Sequence, residues 1–210
     1  SNSVVKQPSS VYNKLASVFK NALYNEIKIE KNTNSLVIGD VQSGKTDVMM
    51  GYCYKSKTFG KKVLYLVRNM KSDAQQLKTR FEDKSREFPI IVKKVHELGN
   101  IKKIEKMDKM LDFDVIICLM NKESIRKFET LVNKFNFDFN ICVDESDLIS
   151  GDKGVGEIEL RKLRENRNRF NFLAVTATPI ATIFNMDINY FYRLHKSDNY
   201  SNINHNRIKW

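Results

Sequence analysis

Cysteine and histidine are scarce in this sequence, and no long apolar run occurs in it. Cys53, Cys118 and Cys142 form an odd set of three without a C-x-x-C pair, which excludes a disulfide framework. Cys118 and Cys142 sit inside apolar runs and Cys53 lies a few residues beyond a glycine-rich loop, so buried, reduced thiols are expected. An intracellular, reducing compartment, cytoplasmic or nuclear, is the expectation that follows. His96, His195 and His205 are scattered with no metal-ligand spacing, so no zinc site is expected. No apolar stretch approaches the roughly 20 residues of a membrane span, and the N-terminus carries no secretory h-region, so no membrane partner is expected. An initiator Met is also missing; Ser1-Asn2 resembles a tag scar, and the chain reads as a piece of something longer.

What is present is the composition of a soluble globular chain: 210 residues, 41% hydrophobic and 29% charged. That length suits one large domain, or one domain with a short extension, and buries roughly 70% of the unfolded surface. Thirty-six Lys and Arg against 25 Asp and Glu leave a net charge of +11. Such an excess favours polyanionic partners, DNA or RNA, and says nothing about fold. Part of it is background, because Lys and Asn are abundant throughout.

Val11, Leu15, Val18 and Ala22 repeat at helical spacing behind Pro8-Ser9-Ser10, with Tyr12, Phe19, Leu23 and Ile27 beside them. The spacing predicts a broad-faced helix in an N-terminal extension over 1–30. Short apolar runs follow at Leu36–Ile38, Val63–Val67, Ile90–Val95, Val115–Leu119, Ile141–Val143 and Phe172–Val175. Each is too short for a buried helix, and most are rich in β-branched residues, so they read as buried parallel strands. Between them lie helical patterns. One opens at a Ser72/Gln75 capping box and presents Ala74, Leu77 and Phe81; another is marked by Ile125, Phe128, Val132 and Phe135. Strand and helix in alternation predict an α/β domain over 31–196, a mostly parallel sheet with helices on both faces. Gly151–Gly156 is the one glycine-rich surface loop. The polar, Asn-rich stretch 197–210 reads as a tail or linker toward a further domain.

Gly39-Asp40-Val41-Gln42-Ser43-Gly44-Lys45-Thr46 satisfies G-x-x-x-x-G-K-[ST], follows the run Ser35–Ile38, and precedes a helix-compatible stretch from Asp47 to Lys57. That strand–loop–helix context is the one a phosphate-binding P-loop requires. Its glycines let backbone N–H groups turn inward around phosphates at a helix N-terminus. Lys45 is placed to reach the β- and γ-phosphates, and the Thr46 hydroxyl to ligate Mg²⁺. Roughly 100 residues downstream, within the span of one domain, the run Ile141-Cys142-Val143 ends in Asp144-Glu145-Ser146-Asp147. Alone, two acids after a strand read as a solvated turn. Behind a P-loop they read as the Mg²⁺-side acid, Asp144, and the group that polarises an attacking water, Glu145. A third run ends in Thr176-Ala177-Thr178-Pro179. Its hydroxyls can bond the acidic motif, although by itself the segment is a plain turn stopped by proline.

The three motifs in this order resemble helicase superfamily II: GDVQSGKT as motif I, DESD as the DExD motif II, and TATP as the SAT-like motif III. More narrowly, VQSGKT, the run from Thr176 to Phe184 and the segment Leu66–Arg80 look like the Z-one domain branch. The resemblance covers roughly residues 35–185 and implies a RecA-like P-loop NTPase fold with ATP and Mg²⁺ as cofactors. It assigns Gly39, Gln42, Ser43, Gly44, Lys45 and Thr46 to the phosphate loop. Asp144 and Glu145 become the metal-binding and water-activating acids, Asp147 the last acid of motif II, and Thr176 and Thr178 the coupling motif. Arg68 and Asn69 fall where motif Ia touches a nucleic-acid backbone, and Asn121 follows the strand before motif II. At strand ends such polar residues equally read as merely solvated.

The departures from the pattern shape the expectation too. Gln7 is the only candidate for an adenine-reading Q-motif, and its context is poor. Nothing resembles motif VI, whose arginines complete the site from a second RecA-like domain. Since an arginine finger contributes about 10³–10⁵ in rate, a lone first domain should bind ATP yet hydrolyse it weakly. Arg161, Arg164, Arg167 and Arg169 follow motif II and read as a solvated face or a phosphate-binding strip; the Lys-rich stretch from Lys93 to Lys109 reads as solvated. Three functions are therefore in play. One is a motor domain of a helicase or translocase with Lys45, Asp144 and Glu145 as its catalytic residues. The others are a terminase-like packaging ATPase and a basic nucleic-acid-binding platform with a vestigial site.

Overall fold

The computed structural model describes residues 26–40, 44–144, 157–177 and 187–194. The described residues form seven strands, six of them on the apolar runs: β1 (Thr33–Gly39), β2 (Lys62–Val67), β3 (Val92–Lys94), β4 (Val115–Leu119), β5 (Phe139–Asp144), β6 (Arg169–Thr176) and β7 (Tyr190–Leu194). They form one sheet in the order β3-β4-β2-β5-β6-β1-β7, and all six strand pairings are parallel. Around it lie α1 (Lys45–Thr58), α2 (Lys71–Lys84), α3 (Met107–Met110), α4 (Lys122–Phe135) and α5 (Glu157–Glu165). The expected α/β architecture is present.

Because side chains alternate along a strand, the sheet feeds two separate cores. Val37, Tyr65, Cys142, Leu173 and Val175 point to the side covered by α1 and α2, where Val48, Met49, Cys53, Ala74, Leu77 and Phe81 pack. Leu36, Leu66, Cys118, Ile141, Val143 and Phe172 point to the other side, against Ile125, Phe128, Leu131 and Val132 of α4 and Leu160 and Leu163 of α5. Helices therefore cover both faces, which is why the inner strands read as continuous apolar runs. All three cysteines are free and buried, and burial pushes each thiol above its ordinary range.

A buried polar network crosses the first core near the amino-terminal ends of the strands. The Tyr52 hydroxyl of α1 donates to Asn171 Oδ1 of β6 at 2.6 Å. Asn171 N–H donates to Asn140 Oδ1 of β5, and Asn140 Nδ2 donates to Ser56 Oγ back on α1. Asn171 Nδ2 also donates to Thr33 Oγ1 of β1 at 2.7 Å. One helix and three strands are thus tied through side chains whose polar atoms satisfy one another, as burial requires.

Several expectations are corrected. The strand expected over Ile90–Val95 contracts to Val92–Lys94, because Val95 opens a 3₁₀ turn, Val95–Glu97. No capping box at Ser72/Gln75 forms: α2 starts one residue earlier, at Lys71, after Met70 in extended backbone, with no side-chain cap. β7 is an additional strand that pairs with β1. In α4 the expected stripe is buried at Ile125, Phe128 and Val132; Leu131 joins it and Phe135 is only partly covered. Asn121 caps this helix, accepting from Ser124 N–H at 2.8 Å, and Asn136 ends it at φ 52°, a left-handed position that Asn tolerates. The arginine cluster does not act as one strip. Arg161 and Arg167 are exposed, whereas Arg169 is half-buried and donates to Arg164 O, Thr33 O and Asn34 Oδ1. The helix expected over Val11 to Ile27 lies outside the described residues except at its end, where Ile27 is fully buried and its carbonyl accepts from Lys55 Nζ at 2.7 Å. The segments 151–156 and 197–210 lie outside them too.

Candidate functional site

The glycine-rich loop starts where β1 ends, at the carboxyl edge of the sheet. Gly39 is buried and in register with Leu194 of β7. At the loop's far end Gly44 adopts φ 86° and ψ 25° and serves as the N-cap of α1. Glycine takes this left-handed conformation without the Cβ penalty of other residues. The Gly44 carbonyl accepts from Val48 N–H at 3.2 Å, so the α1 ladder begins immediately and Lys45 and Thr46 stand in its first turn. Asp47 lies there too, a favourable place for a negative charge. Gln42 and Ser43 lie outside the described residues.

β5 delivers Asp144 to the same edge. In register, Asp144 stands beside Val175 of β6, and Val175 beside Val37 of β1. Cys142 belongs to the core under α1 and α2, so the alternation turns Asp144, two residues on, toward the same face. Thr46 and Asp144 line one cavity of about 140 Å³ together with Tyr65, Val67, Asp73, Gln76, Leu77 and Arg80. The loop and the acid do not stand on adjacent strand tips, because β6 lies between β1 and β5. Two strand spacings separate Val37 and Asp144 by roughly 10 Å, which leaves room for an ion and its ligands between the loop and the carboxylate. A hydroxyl and a carboxylate are hard oxygen donors, and Mg²⁺ is commonly held by one or two protein groups plus phosphate oxygens. The residues present fit Mg²⁺ with a nucleotide.

Thr176, at the end of β6, is fully buried. Its neighbour Val175 faces α1 and Ala174 faces α4 and α5, so Thr176 is turned to the α4–α5 side while its strand end stays beside that of β5. Glu145, Asp147 and Thr178 lie outside the described residues.

The residues expected at a nucleic-acid backbone cluster on the exposed edge beyond β2 and β4. Arg68 grips Asp73 with a fork, Nε to Oδ2 at 2.6 Å and Nη2 to Oδ1 at 3.2 Å. Asn121 Nδ2 donates to Asn69 Oδ1 at 3.0 Å, so these two are brought together while Arg68 is held toward α2. Beside them a second cavity of about 350 Å³ is lined by Lys71, Lys94, His96, Asn121 and Ser124, among others.

Tyr65, Asp73, Gln76 and Arg80 also line the Thr46–Asp144 cavity; the last three fall within the segment Leu66–Arg80, where the resemblance gave them no role of their own. A signal existed: Asp73, Gln76 and Arg80 recur at helical spacing beside the apolar stripe Ala74, Leu77 and Phe81. Arg80 Nη2 donates to Asp47 Oδ1 at 3.2 Å. The Tyr65 phenol is pushed well above its ordinary pKa, mainly by burial and further by Cys142 and Asp144, with Arg80 acting in the opposite direction.

Comparison with known proteins places this geometry in context. No family profile matches the chain. Among curated proteins, the transcription-repair-coupling factor of Haemophilus influenzae is 28% identical over 169 residues, spanning 80% of this chain and 14% of that protein. The chain therefore corresponds to a small part of that relative. Among solved structures, the crystal structure of the Pyrococcus furiosus Hef helicase domain superposes with a TM-score of 0.61 at 18% identity, covering 89% of this chain and 41% of that one. The fold, a parallel sheet with helices on both faces, is similar to that of the Hef helicase domain.

Proposed function

We propose that this helicase-type fold serves as the first of two RecA-like lobes of a superfamily II helicase or translocase, of DExD type and Z-one-like, that binds and hydrolyses Mg·ATP. The observation that carries this reading is the shared cavity of Thr46 and Asp144: two residues 98 positions apart, each singled out for a metal-side role, open onto one space on one face of the sheet. In this reading the amides around Gly44 and the α1 N-terminus hold the phosphates, and Lys45 reaches the β- and γ-phosphates. Gly39, Gln42 and Ser43 complete the loop. Thr46 and Asp144 hold Mg²⁺, which when bound neutralises charge on the β- and γ-phosphates. Glu145 orients and deprotonates the attacking water. Asp147, Thr176 and Thr178 couple the nucleotide state to the rest of the lobe. Arg68, Asn69 and Asn121 contact a DNA or RNA backbone, and the cations of the second cavity extend that track. The second lobe supplies the arginine that raises turnover, so this chain alone binds ATP and turns it over slowly.

The test is calorimetric titration with Mg·ATP followed by ATPase assays, with and without nucleic acid, in the full-length protein. Lys45→Ala should abolish binding. Glu145→Gln should retain binding and lose nucleic-acid-stimulated hydrolysis. Normal hydrolysis by both variants would end this reading, and retained nucleic-acid affinity with no Mg·ATP binding in the unaltered protein would replace it with a vestigial platform.

A further inference from the structure

Given the nucleotide site proposed above, the geometry points to Arg80 as the residue by which this lobe tells a triphosphate from a diphosphate. Arg80 lies on α2 and lines the same cavity as Thr46 and Asp144. Its side chain is 49% exposed and its contact with Asp47, itself 38% exposed, is end-on at 3.2 Å. An ion pair between partners so exposed is weak and can be exchanged at little cost. The other arginine of this region is held differently: Arg68 forks onto Asp73 at 2.6 and 3.2 Å. Arg80 thus borders the metal side of the site as a cation on a loose tether. Both Asp144 and Arg80 act on the Tyr65 phenol, in opposite directions, so the carboxylate and the guanidinium share one neighbourhood.

A γ-phosphate held between Thr46 and Asp144 would offer this guanidinium two anionic oxygens, a better acceptor than one screened carboxylate oxygen, because planar forks match phosphate geometry. ADP has no such group, and with ADP bound Arg80 stays on Asp47. The cation acts from within the same lobe, distinct from any arginine supplied by a second one. The competing role is purely structural, with Arg80 stapling α2 to α1 through Asp47.

The experiment titrates Mg·ATP and Mg·ADP separately into the 210-residue chain and its Lys45→Ala, Arg80→Ala, Arg80→Lys and Asp47→Asn variants, with thermal unfolding recorded for each. Lys45→Ala should lose both nucleotides. Arg80→Ala should lose about tenfold or more in ATP affinity, the worth of a charge-assisted bond, with ADP affinity within about twofold of the unaltered chain. Arg80→Lys should recover part of the loss, and Asp47→Asn should keep the preference for ATP. Where Arg80→Ala does not fold, Arg80→Gln keeps the aliphatic stem and carries the same expectation. An equal effect of Arg80→Ala on both nucleotides, no effect on either, or an Asp47→Asn variant that behaves like Arg80→Ala would overturn the assignment. Undiminished binding of both nucleotides by Lys45→Ala would instead remove the site on which it rests.

Discussion

Asn171→Ala is expected to be among the most damaging single changes in the chain, although no part of the nucleotide site touches that residue. Asn171 is fully buried. Its carboxamide accepts from the Tyr52 hydroxyl at 2.6 Å and donates to Thr33 Oγ1 at 2.7 Å and Thr33 O at 3.2 Å. Each of the three bonds contributes about 1 kcal/mol net, so the loss should total about 3 kcal/mol. For a chain of this length that corresponds to a drop in Tm of roughly 6–12 °C. Tyr52→Phe alone should cost about 1 kcal/mol, and the double variant should cost less than the sum by about 1 kcal/mol, because both changes remove one shared bond. Thermal and urea unfolding followed by circular dichroism measure all three. If Asn171→Ala melts within about 2 °C of the unaltered chain, or the two changes add, the network does not clamp α1 to β6 as described.

Three further outcomes are expected. Lys55 is buried and burial lowers its pKa from 10.5 to about 8, with Glu26 opposing the shift. Between those two values the folded chain holds fewer protons than the unfolded one, so this side chain's contribution improves as pH rises through that window and is least favourable below it. The stability of the unaltered chain relative to Lys55→Met should accordingly increase from about pH 7.5 to about 9.5 in urea titrations; a flat difference would contradict the burial. Gly44→Ala, forced to φ 86°, should destabilise by about 1–2 kcal/mol in urea unfolding and weaken Mg·ATP binding in calorimetric titration. Arg68→Ala should weaken nucleic-acid binding and reduce the slope of log K against log salt by about 1. An unchanged slope would mean that Arg68 contacts no phosphate.

The strands were legible because buried parallel strands are apolar without interruption; all six expected runs lie on strands, though the third contracts. Their polar ends were not legible. The expected runs began at Ile141 and Phe172, so Asn140 and Asn171 fell outside them, and a pattern of apolarity cannot reveal a network built by two asparagines from neighbouring strands. β7 escaped because Tyr190-Phe-Tyr-Arg-Leu194 sits in a polar, Asn-rich context, and among the described residues it is an edge strand that pairs with β1 alone. The placement of β6 between β1 and β5 was hidden for another reason: strand order is fixed by long-range packing and leaves no local mark. Ser72 misled as a cap because α2 begins before it. The candidate site was legible wherever a motif demands unusual residues, as with Gly44 at positive φ and Thr46 at a helix start. Arg80 closes the segment Leu66–Arg80 but no unusual residue type marks it for the site, and the packing of α2 across the sheet edge brings it to Thr46 and Asp144.

The central claim is that the glycine-rich loop and the β5 acid face one metal-bound nucleotide, and paramagnetic NMR tests it most directly. With Mn²⁺ replacing Mg²⁺ in the ATP complex, the amide signals of Thr46 and Asp144 should broaden together at stoichiometric nucleotide, while those of Thr33 and Arg169 at the opposite edge of the sheet should stay sharp. Broadening of one of the pair without the other, or of both edges alike, would contradict the account.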